Sequence, residues 1–388
     1  MKIALVHDWL TVYAGAERVL EEMLRVYPDA DVFSLIDFVP QTARGFLGGR
    51  RVRTSFLQHA PAARSHYRRY LPLMPFAIRQ LDLSGYDLVL SNSHAFAKNV
   101  VTGPRQLHIC MCHTPMRYAW DLREQYLREA GLDRGITGMA ARWLLRGLRH
   151  WDAHTAKRVD VFLANSNHIA KRIWAAYQRE ATVLYPPVDV EAFTPGGARD
   201  DVYVTASRMV PYKRIDQIVE AFATMPSRRL IVIGDGPEAG RIRRNATSNV
   251  QFLGHQPFEV LRDHLRRSRA FVFAAEEDFG IAPLEAQACG TPVIALAKGG
   301  AVETIRGLEQ AEPTGVFFPE PTARDIQEAI VVFERDQARI SPVACRTNAL
   351  RFRPERFRQE LRDLVAENWE RFSQGTAQTQ PQRQVLVP

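Results

Sequence analysis

The chain has 388 residues, of which 46% are hydrophobic and 24% charged, a composition typical of a globular protein with room for two domains. It lacks an apolar run of about eighteen residues, so we do not expect an integral membrane protein. The opening MKIALVHDWL has too short an apolar run for a secretory signal, and we therefore expect the chain to stay in the cytoplasm.

A strand, a loop and a helix are predicted first, from KIALVHD, WLTVYAGAE and ERVLEEMLRVY, which is how a parallel α/β sheet begins. Further strands are predicted in DVFSLI, DLVLSNS, LHICMCH and VDVFLANS. Ligands of such sheets bind beyond the carboxyl ends of the strands, so polar residues at those ends are candidates for a site. Ser91, Asn92, Ser93, Asn165 and Ser166 are such residues, and each is equally consistent with a helix cap.

Residues 38–81 contain eight Arg and no Asp or Glu, so the net charge of +8 is unevenly distributed. Aromatic and aliphatic residues lie among these Arg residues, a mixture that suits an anionic membrane surface. A solvated basic face is the alternative. A second basic segment, residues 141–158, has an apolar stripe that is also consistent with core packing. No nucleic-acid recognition motif has the required spacing, and we predict no nucleic-acid partner.

Pro and Gly residues mark a domain boundary at PPVDVEAFTPGG, after which alternating strands and helices begin again. Strands are predicted in DVYVTAS, RLIVIGDG, VQFLG, AFVFAAE and PVIALA. PERFRQELRDLVAENWERF predicts an amphipathic terminal helix, and the polar, Gln-rich residues after it predict disorder. The predicted division is 1–185 for the first domain, 186–197 for the linker, 198–350 for the second domain, 351–372 for the terminal helix and 373–388 for the tail.

Two cationic side chains follow the first strand of the second half. In SRMVPYKRID, Arg208 and Lys213 are five residues apart across a proline-containing turn, so both can face one site. A forked guanidinium and a point-like ammonium together suit a diphosphate. Alone, the pair is a weak signal, since Arg and Lys at strand ends commonly face solvent.

Two carboxylates, Glu277 and Glu285, flank a turn in EEDFGIAPLEAQACGTPVIAL. AFVFAA predicts a strand and LEAQAC the next helix, with Pro283 in its first turn. We therefore expect Glu277 at the strand end and Glu285 in the first turn of the helix.

The loop between these carboxylates contains Phe279, Gly280 and Ile281 and leads into the helix, whose free N–H groups and positive dipole end favour a phosphate. Gly280 allows the backbone to approach a ligand closely. A nucleotide sugar fits this arrangement, with its diphosphate at the helix start and its ribose and sugar hydroxyls on the two carboxylates.

These motifs resemble the retaining glycosyltransferases of family 4, which have the GT-B fold. The resemblance rests on the E-x7-E motif from Glu277 to Glu285, which encloses FG, and on EAQACGTPVIA, which begins at Glu285. SRMVPYKRID and GDGP, earlier in the second half, also match. HDWLTVYAGAERVLEEM and HTPMRYAWD are more narrowly similar to WbaZ-like bacterial mannosyltransferases of O-antigen and exopolysaccharide assembly. The family implies an α/β protein with two Rossmann-like domains facing across a cleft and a C-terminal helix that packs back towards the first domain.

The resemblance also implies roles for individual residues. Glu277 would contact the donor sugar, Glu285 the ribose, and Arg208 with Lys213 the diphosphate. The backbone of residues 279–281 would contact sugar and phosphate. The implied donor is GDP-mannose, with a UDP-hexose as the alternative. The implied acceptor is a lipid-linked saccharide at the inner face of the cytoplasmic membrane.

In the first domain, the resemblance places His113, at the end of LHICMC, near the reacting carbon. Many relatives have two adjacent glycines in the first loop, where this chain has Ala14 and Gly15. Alanine does not freely adopt a positive φ, so a phosphate contact there would depend on the N–H groups of Gly15 and Ala16.

Neither a metal nor another cofactor is expected. The sequence has no D-x-D motif where a metal would bridge the diphosphate, and the C-x-C spacing of Cys110 and Cys112 suits neither a zinc nor a redox site. Arg208, Lys213 and the helix dipole are expected to stabilise the leaving group instead. The resemblance favours front-face attack, in which the departing phosphate accepts the acceptor's proton.

Three other functions are weighed against transfer. IVIGDGPEAGR satisfies the loose G-x-G-x-x-G/A pattern of dinucleotide-binding dehydrogenases through Gly234, Gly236 and Ala239. The acidic residue expected about 20 positions on is missing, because Glu259 falls in a helical pattern. A sugar-nucleotide epimerase would use similar phosphate contacts, and a membrane-attached scaffold would need none of the chemistry.

Overall fold

The computed structural model shows a chain that separates into two compact units. The first unit comprises Met1–Tyr185 and the chain from Phe357 onward, and the second comprises Pro186–Arg356. The division after Tyr185 falls at the start of the predicted linker. The described residues are 1–121, 123–129 and 131–378.

Parallel sheets form the centre of both units. The strands of the first are β1 (Ile3–His7), β2 (Asp31–Ser34), β3 (Val52–Thr54), β4 (Leu88–Ser93), β5 (Leu107–Cys112), β6 (Val161–Ala164) and β7 (Ala181–Val183). Those of the second are β8 (Val202–Ala206), β9 (Arg229–Ile233), β10 (Val250–Gly254), β11 (Ala270–Phe273), β12 (Val293–Leu296) and β13 (Gly315–Phe318). The sheet orders are β3-β2-β1-β4-β5-β6-β7 and β10-β9-β8-β11-β12-β13.

Helices connect the strands. In the first unit they are α1 (Gly15–Val26), α2 (Ala63–His66), α3 (Met74–Arg79), α4 (Arg123–Glu129), α5 (Gly135–Thr155) and α6 (Asn167–Tyr177). In the second they are α7 (Ile215–Ala223), α8 (Ala239–Arg244), α9 (Phe258–Arg267), α10 (Ile281–Ala288), α11 (Ala301–Thr304), α12 (Ala323–Asp336) and α13 (Pro342–Leu350), and α14 (Pro354–Gln378) ends the described chain.

The strand order reverses once in each sheet, between β1 and β4 and between β8 and β11. At such a switch point the connections leave in opposite directions, so a crevice opens beyond the carboxyl ends of the two strands. His7 pairs with Asn92 across β1 and β4, which brings the ends of these strands side by side. Both units therefore have the topology in which α/β sheets bind ligands.

The predicted α/β class, with two Rossmann-like sheets, is confirmed. Three strands were not predicted, β3, β7 and β13. β7 has three residues and lies at an edge of the first sheet. β3 is a three-residue edge strand inside the Arg-rich segment. β13 is four residues long and also lies at a sheet edge. Such short segments have too few residues to show a period.

The predicted linker is packed against the second unit. Val188 and Val190 are fully buried, and the Val188 N–H donates to the Phe352 carbonyl at 2.8 Å. The Arg346 guanidinium donates to the carbonyls of Val190 and Phe193 at 2.5 and 2.6 Å. Pro and Gly ended the periodic pattern as expected, but the hydrogen bonds fix the segment in place.

The terminal helix α14 packs on the core of the first unit. Phe357, Leu361 and Val365 are buried in the same apolar cluster as Leu5 and Leu20. The helix runs to Gln378, so the prediction that disorder begins at residue 373 is wrong for the first residues of the tail. The remainder, residues 379–388, lies outside the described residues. In the part of the chain that the structure describes, no helix is both long and apolar enough to cross a bilayer.

We expect Leu361→Ala to lower the free energy of unfolding of the first unit by about 2–5 kcal/mol, because it leaves a cavity under a fully buried side chain. Thermal and urea unfolding measure the loss. Glu367→Ala, on the exposed face of the same helix, is the control and is expected to change stability by less than about 0.5 kcal/mol. Equal effects of the two substitutions would contradict the packing.

Candidate functional site

The predicted cations and one predicted carboxylate lie at the switch point of the second unit. Arg208 and Lys213 are in the loop that follows β8, and Glu277 is in the loop that follows β11. The Lys213 ammonium forms an ion pair with the Glu277 carboxylate. Arg208 is exposed, whereas Lys213 and Glu277 are half-buried. The strand order therefore brings together two residues that are 64 positions apart in sequence.

Lys213 is held by a tight turn. Its N–H donates to the Val210 carbonyl at 3.0 Å, and the Arg214 N–H donates to the Pro211 carbonyl at 3.3 Å. Arg214 has φ +54°, a left-handed conformation that costs a non-glycine residue about 1–3 kcal/mol. Arg214 ends the turn and caps the start of α7, so the turn that carries Lys213 is joined directly to a helix.

Gly280 is the N-cap residue immediately before α10. Its φ of +93° lies in the left-handed region, which glycine adopts most easily. The Phe279 ring packs edge-on against Phe352 at 5.6 Å and anchors the turn in the core. Helix α10 starts at Ile281, earlier than LEAQAC suggested, so Glu285 is its fifth residue and not in its first turn. The N–H groups of Ile281, Ala282 and Leu284 lack intrahelical acceptors, and Pro283 between them has no N–H.

A cavity of about 560 Å³ opens beside this turn. Glu285, only 8% exposed, and Arg208 both lie in its wall. Its described lining includes Asp235, His255 and Gln256 but not Lys213 or Glu277. The cavity is in the size range of small-molecule sites. The ion pair of Lys213 and Glu277 lies outside its lining, on the loops of the same two strands.

Gly234 and Gly236 of the GDGP motif, which match the G-x-G-x-x-G/A pattern of dehydrogenases, have a packing role here. A Cβ on Gly234 would lie 2.0 Å from the Ser207 carbonyl oxygen, and one on Gly236 would lie 2.5 Å from that of Met209. The Met209 N–H also donates to the Asp235 carbonyl at 2.9 Å. These glycines let two loops pack backbone to backbone, and that contact supports Arg208.

Gly299 and Gly300, which the sequence analysis overlooked, support the other loop. A Cβ on Gly299 would lie 2.3 Å from the Glu277 carbonyl oxygen, and one on Gly300 would lie 2.4 Å from the Phe279 Cα. The Gly300 N–H donates to the Glu277 carbonyl at 2.7 Å. The KGG sequence after the predicted strand PVIALA could have indicated this close backbone contact.

In the first unit, Gly15 and Ala16 open α1 as its first two residues. Ala14 has φ −141°, which alanine adopts without strain, and its N–H donates to Glu17 Oε2 at 3.0 Å. The loss of a glycine at this position is therefore tolerated. The Ala14 N–H is engaged within the chain, which leaves a phosphate contact to the next residues.

His113 lies at the end of β5 and is half-buried. Its Nε2 is 2.5 Å from Asn92 Oδ1, and its backbone carbonyl accepts from Asn165 Nδ2 at 3.1 Å. Burial lowers the pKa of His113 to about 3, and the nearby His94 and His7 act in the same direction. The ring is therefore neutral at physiological pH. The cap of α6 is Ser166, whose side chain accepts from the Ile169 N–H, and not Asn165.

A buried carboxylate, Asp8, organises the switch point of the first unit and was not predicted. It accepts the backbone N–H groups of residues 94–97 at 2.5 to 3.0 Å and lies 3.0 Å from His94 Nδ1. Burial alone would raise the pKa of Asp8, but His94 and these hydrogen bonds hold it far below its usual value. Burial likewise opposes the charge on His94, yet Asp8 raises the pKa of that ring.

A second buried ion pair lies behind this switch point. Lys98 and Asp152 are both fully buried, with Nζ and Oδ1 2.6 Å apart. Asp152 also accepts from Trp120 and Tyr177 at 2.9 and 2.7 Å. Helical periodicity marks position 152 as core-facing, but the sequence gives no sign of its partner. We interpret this pair as structural.

The described residues contain no cluster of three or more His, Cys, Asp or Glu side chains able to hold a metal ion. The described cysteines are buried and form no disulfide. Burial raises the pKa of the Cys289 and Cys345 thiols to about 12, so both stay protonated.

Two family models match adjacent parts of the chain. Residues 13–192 match Glycosyltransferase Family 4, and residues 194–352 match Glycosyl transferases group 1. The junction between the two matches lies inside the linker, and together they leave only the two ends of the chain unmatched.

Curated relatives match parts of the chain. A GDP-mannose-dependent monoacylated alpha-(1-6)-phosphatidylinositol monomannoside mannosyltransferase of Corynebacterium glutamicum is 32% identical over 46% of this chain and 56% of its own length. A D-inositol 3-phosphate glycosyltransferase of Kribbella flavida is 31% identical over 48% of this chain and 50% of its own length. The chain spans about half the length of these relatives. Neither bears on the narrower WbaZ-like resemblance, which stays a prediction.

Solved structures show the same fold over nearly the whole chain. Anabaena Alr3699/HepE, crystallised with UDP, has a TM-score of 0.69 at 18% identity and covers 95% of this chain and 100% of its own. The lipopolysaccharide outer core galactosyltransferase WaaB has a TM-score of 0.67 at 16% identity, with the same coverage. At such identities the likeness establishes the fold.

We expect Gly300→Ala to displace the loop that carries Glu277, because its Cβ would overlap the backbone of Phe279. The cost is about 1–3 kcal/mol, as for other overpacked sites, and thermal unfolding measures it. Gly240→Ala is the control, because nothing lies within 4 Å of a Cβ there and the residue is in a helix. A Gly300→Ala protein as stable as the control would refute the close packing.

Proposed function

We propose that this chain, which belongs to the glycosyltransferases that combine a Family 4 with a group 1 domain, moves a mannosyl group from GDP-mannose to a lipid-linked saccharide, with retention of configuration. The observation that carries the proposal is the convergence of Arg208, Lys213, Glu277 and Glu285 on the switch point between β8 and β11. The two cations match the charged diphosphate of a nucleotide sugar, and the two carboxylates match the hydroxyl groups of the sugar and the ribose on either side of it.

The cations act on the diphosphate. Arg208, exposed in the cavity wall, can chelate two phosphate oxygens, and Lys213 supplies a second positive charge. The N-terminus of α10 adds N–H donors and the positive end of its dipole. Charge develops on the phosphate as the bond to the sugar breaks, so these groups stabilise the leaving group in the transition state.

The carboxylates act on hydroxyl groups. Glu277 forms an ion pair with Lys213, and its carboxylate oxygens can accept hydrogen bonds from the donor sugar. Glu285, in the cavity wall, accepts from the ribose. With the donor fixed in this way, the departing phosphate takes the proton of the acceptor hydroxyl on the same face of the sugar, and retention follows.

GDP-mannose is preferred as donor because the Corynebacterium relative is named for it. A UDP-hexose is the second candidate, supported by the UDP in the Anabaena structure of the same fold. Epimerisation of a nucleotide sugar is a further alternative, and it predicts product without any acceptor.

We propose that the first unit, on the acceptor side, binds a membrane surface. Fewer Arg residues of the basic segment, residues 38–81, are available for this than the sequence suggested. Arg44 pairs with Asp37 at 2.7 Å, and Arg50 donates to the Pro28 and Leu47 carbonyls, so these two Arg residues serve the fold.

Six Arg residues of the basic segment are exposed. Arg51 and Arg53 lie near the edge strand β3, where Arg53 pairs with Asp31 at 3.5 Å. The remaining four, Arg64, Arg68, Arg69 and Arg79, accompany the exposed Leu73 and Phe76.

Helix α5 adds a stripe of exposed apolar side chains. Ile136, Met139 and Trp143 follow one another at helical spacing and are 80%, 64% and 77% exposed. Leu145 and Leu148, on the opposite face of α5, share a core cluster with Met74 and Ile78 of α3. Helices α3 and α5 thus cover one side of the sheet, and together they offer cations and apolar groups to an anionic bilayer at the inner membrane face.

We expect GDP-mannose to raise the melting temperature of the protein more than UDP-glucose, UDP-galactose, GDP or UDP. A ligand that binds only the folded state stabilises the folded state. Arg208→Ala and Lys213→Met are expected to abolish most of this shift and to lower transfer at least 100-fold. Differential scanning fluorimetry and transfer of labelled mannose to a lipid extract measure both effects.

Arg324→Ala on α12 is the matched control, since it also removes one positive charge from the second unit but at an exposed surface position. It is expected to behave like the unmodified protein. Normal transfer by Arg208→Ala and Lys213→Met would disprove the diphosphate assignment, and labelled epimer formed without acceptor would favour an epimerase.

We expect the triple variant Ile136→Ser, Met139→Ser, Trp143→Ser to lose most of its binding to vesicles containing phosphatidylglycerol, measured by sedimentation at low salt. Arg64→Glu, Arg68→Glu and Arg69→Glu together should have a similar effect that weakens as salt increases. Val343→Ser, equally exposed at 73% on α13, is the control. Undiminished binding by both triple variants would remove the membrane surface from the proposal.

A further inference from the structure

A chain of hydrogen-bonded side chains joins Glu17 on α1 to His113 at the end of β5. His7 Nε2 lies 3.2 Å from Glu17 Oε1, and His7 Nδ1 lies 3.0 Å from Asn92 Nδ2. Asn92 Oδ1 lies 2.5 Å from His113 Nε2. His7 and Asn92 are fully buried and Glu17 is 5% exposed, so water does not compete for these bonds.

The orientation of the Asn92 amide fixes the direction of every bond in this chain. Its Nδ2 also lies 2.8 Å from the Ala16 carbonyl oxygen, which can only accept, so the NH2 group must face that oxygen. The second hydrogen of Nδ2 then points to His7 Nδ1, which must be unprotonated. His7 therefore carries its proton on Nε2 and donates it to Glu17.

The same orientation decides the tautomer of the last ring. Oδ1 of Asn92 faces His113 and can only accept, so His113 must be protonated on Nε2. The other ring nitrogen, Nδ1, then has a free electron pair. A carboxylate, two imidazoles and one amide thus set the proton position of a ring at the carboxyl end of the sheet.

We propose that Asn92, His7 and Glu17 are positioning residues that hold His113 as its neutral Nε2–H tautomer, so that Nδ1 accepts a hydrogen bond from a sugar hydroxyl during transfer. The sugar in this statement rests on the proposed function, whereas the tautomer does not. The resemblance placed His113 near the reacting carbon without a defined role, and here its Nδ1 accepts because it has no proton to give.

Burial is the main reason that the His113 ring is neutral. His7 and Asp8 approach it from the end of β1, Glu17 from α1 and His94 from the loop after β4. The charge on His94 opposes protonation of His113, whereas Asp8 and Glu17 favour it. Burial tends to raise the pKa of Glu17, but its bond from His7 lowers it, so the carboxylate that anchors the chain stays ionised.

The tautomer is measured directly by long-range 1H–15N correlation of the protein labelled with 15N-histidine, with the His113 signals assigned by their loss in His113→Gln. From pH 6 to 8 we expect a protonated Nε2 and a bare Nδ1. An imidazolium or an Nδ1–H ring in that range would overturn the proposal. This experiment needs no substrate, so it stands apart from any test of transfer.

Asn92→Asp tests the amide. The substitution removes both donors and places a carboxylate against Nε2, so we expect a His113 imidazolium at neutral pH and a loss of transfer of about tenfold for each pH unit below its new pKa. Asn165→Asp, which contacts the His113 carbonyl and not its ring, is the control for the spectrum and should leave the neutral tautomer in place. Identical spectra from the two variants would refute the role of Asn92.

Glu17 supplies a second test should Asn92→Asp fail to fold. Glu17→Gln keeps one oxygen that can accept from His7, although its NH2 group can no longer accept the Ala14 N–H, and it should preserve the His113 spectrum. Glu17→Leu removes the acceptor and should allow both tautomers. Equal spectra for Gln and Leu would contradict the chain. The expected spectra combined with no transfer from any nucleotide sugar would reject the proposed function and leave the tautomer standing.

Discussion

The reversal of strand order within each sheet is the constraint on which the candidate sites depend. Neighbouring strands whose connections run in opposite directions leave their carboxyl ends uncovered, so polar groups can collect there without being buried under a helix. The ion pair of Lys213 and Glu277 and the cluster around Asp8 and Asn92 both lie at such a point. One topological rule thus provides two chemically different sites.

The loops at the two switch points are held in place by different kinds of contact. In the second unit, the loops are held by backbone contacts that only glycine allows, at Gly234 and Gly236 on one side and at Gly299 and Gly300 on the other. In the first unit, buried side chains do this work, with Asp8 satisfying four backbone N–H groups. Backbone packing leaves room for a large ligand, whereas side-chain networks set protonation states.

Much of the fold and part of the site were predictable because their signals are local. Apolar runs ending in polar residues gave most of the strands, and the spacing of Glu277 and Glu285 about Gly280 indicated a strand, a turn and a helix. The Lys213–Glu277 pair, in contrast, depends on strand order, which periodicity does not encode. The partners of Asp8 and His113 depend on side-chain directions across three strands, and no sequence spacing reveals these.

The position of α14 bears on how the protein is made. Its first residues, Phe357 and Leu361, complete an apolar cluster that also contains Leu5, although the whole second unit lies between them in sequence. During synthesis on the ribosome, the second unit emerges as one continuous stretch and has all its strands available before the first unit has its last helix. The earlier-made unit is therefore the later one to be finished, and its exposed apolar surface is where a chaperone would act in the interval.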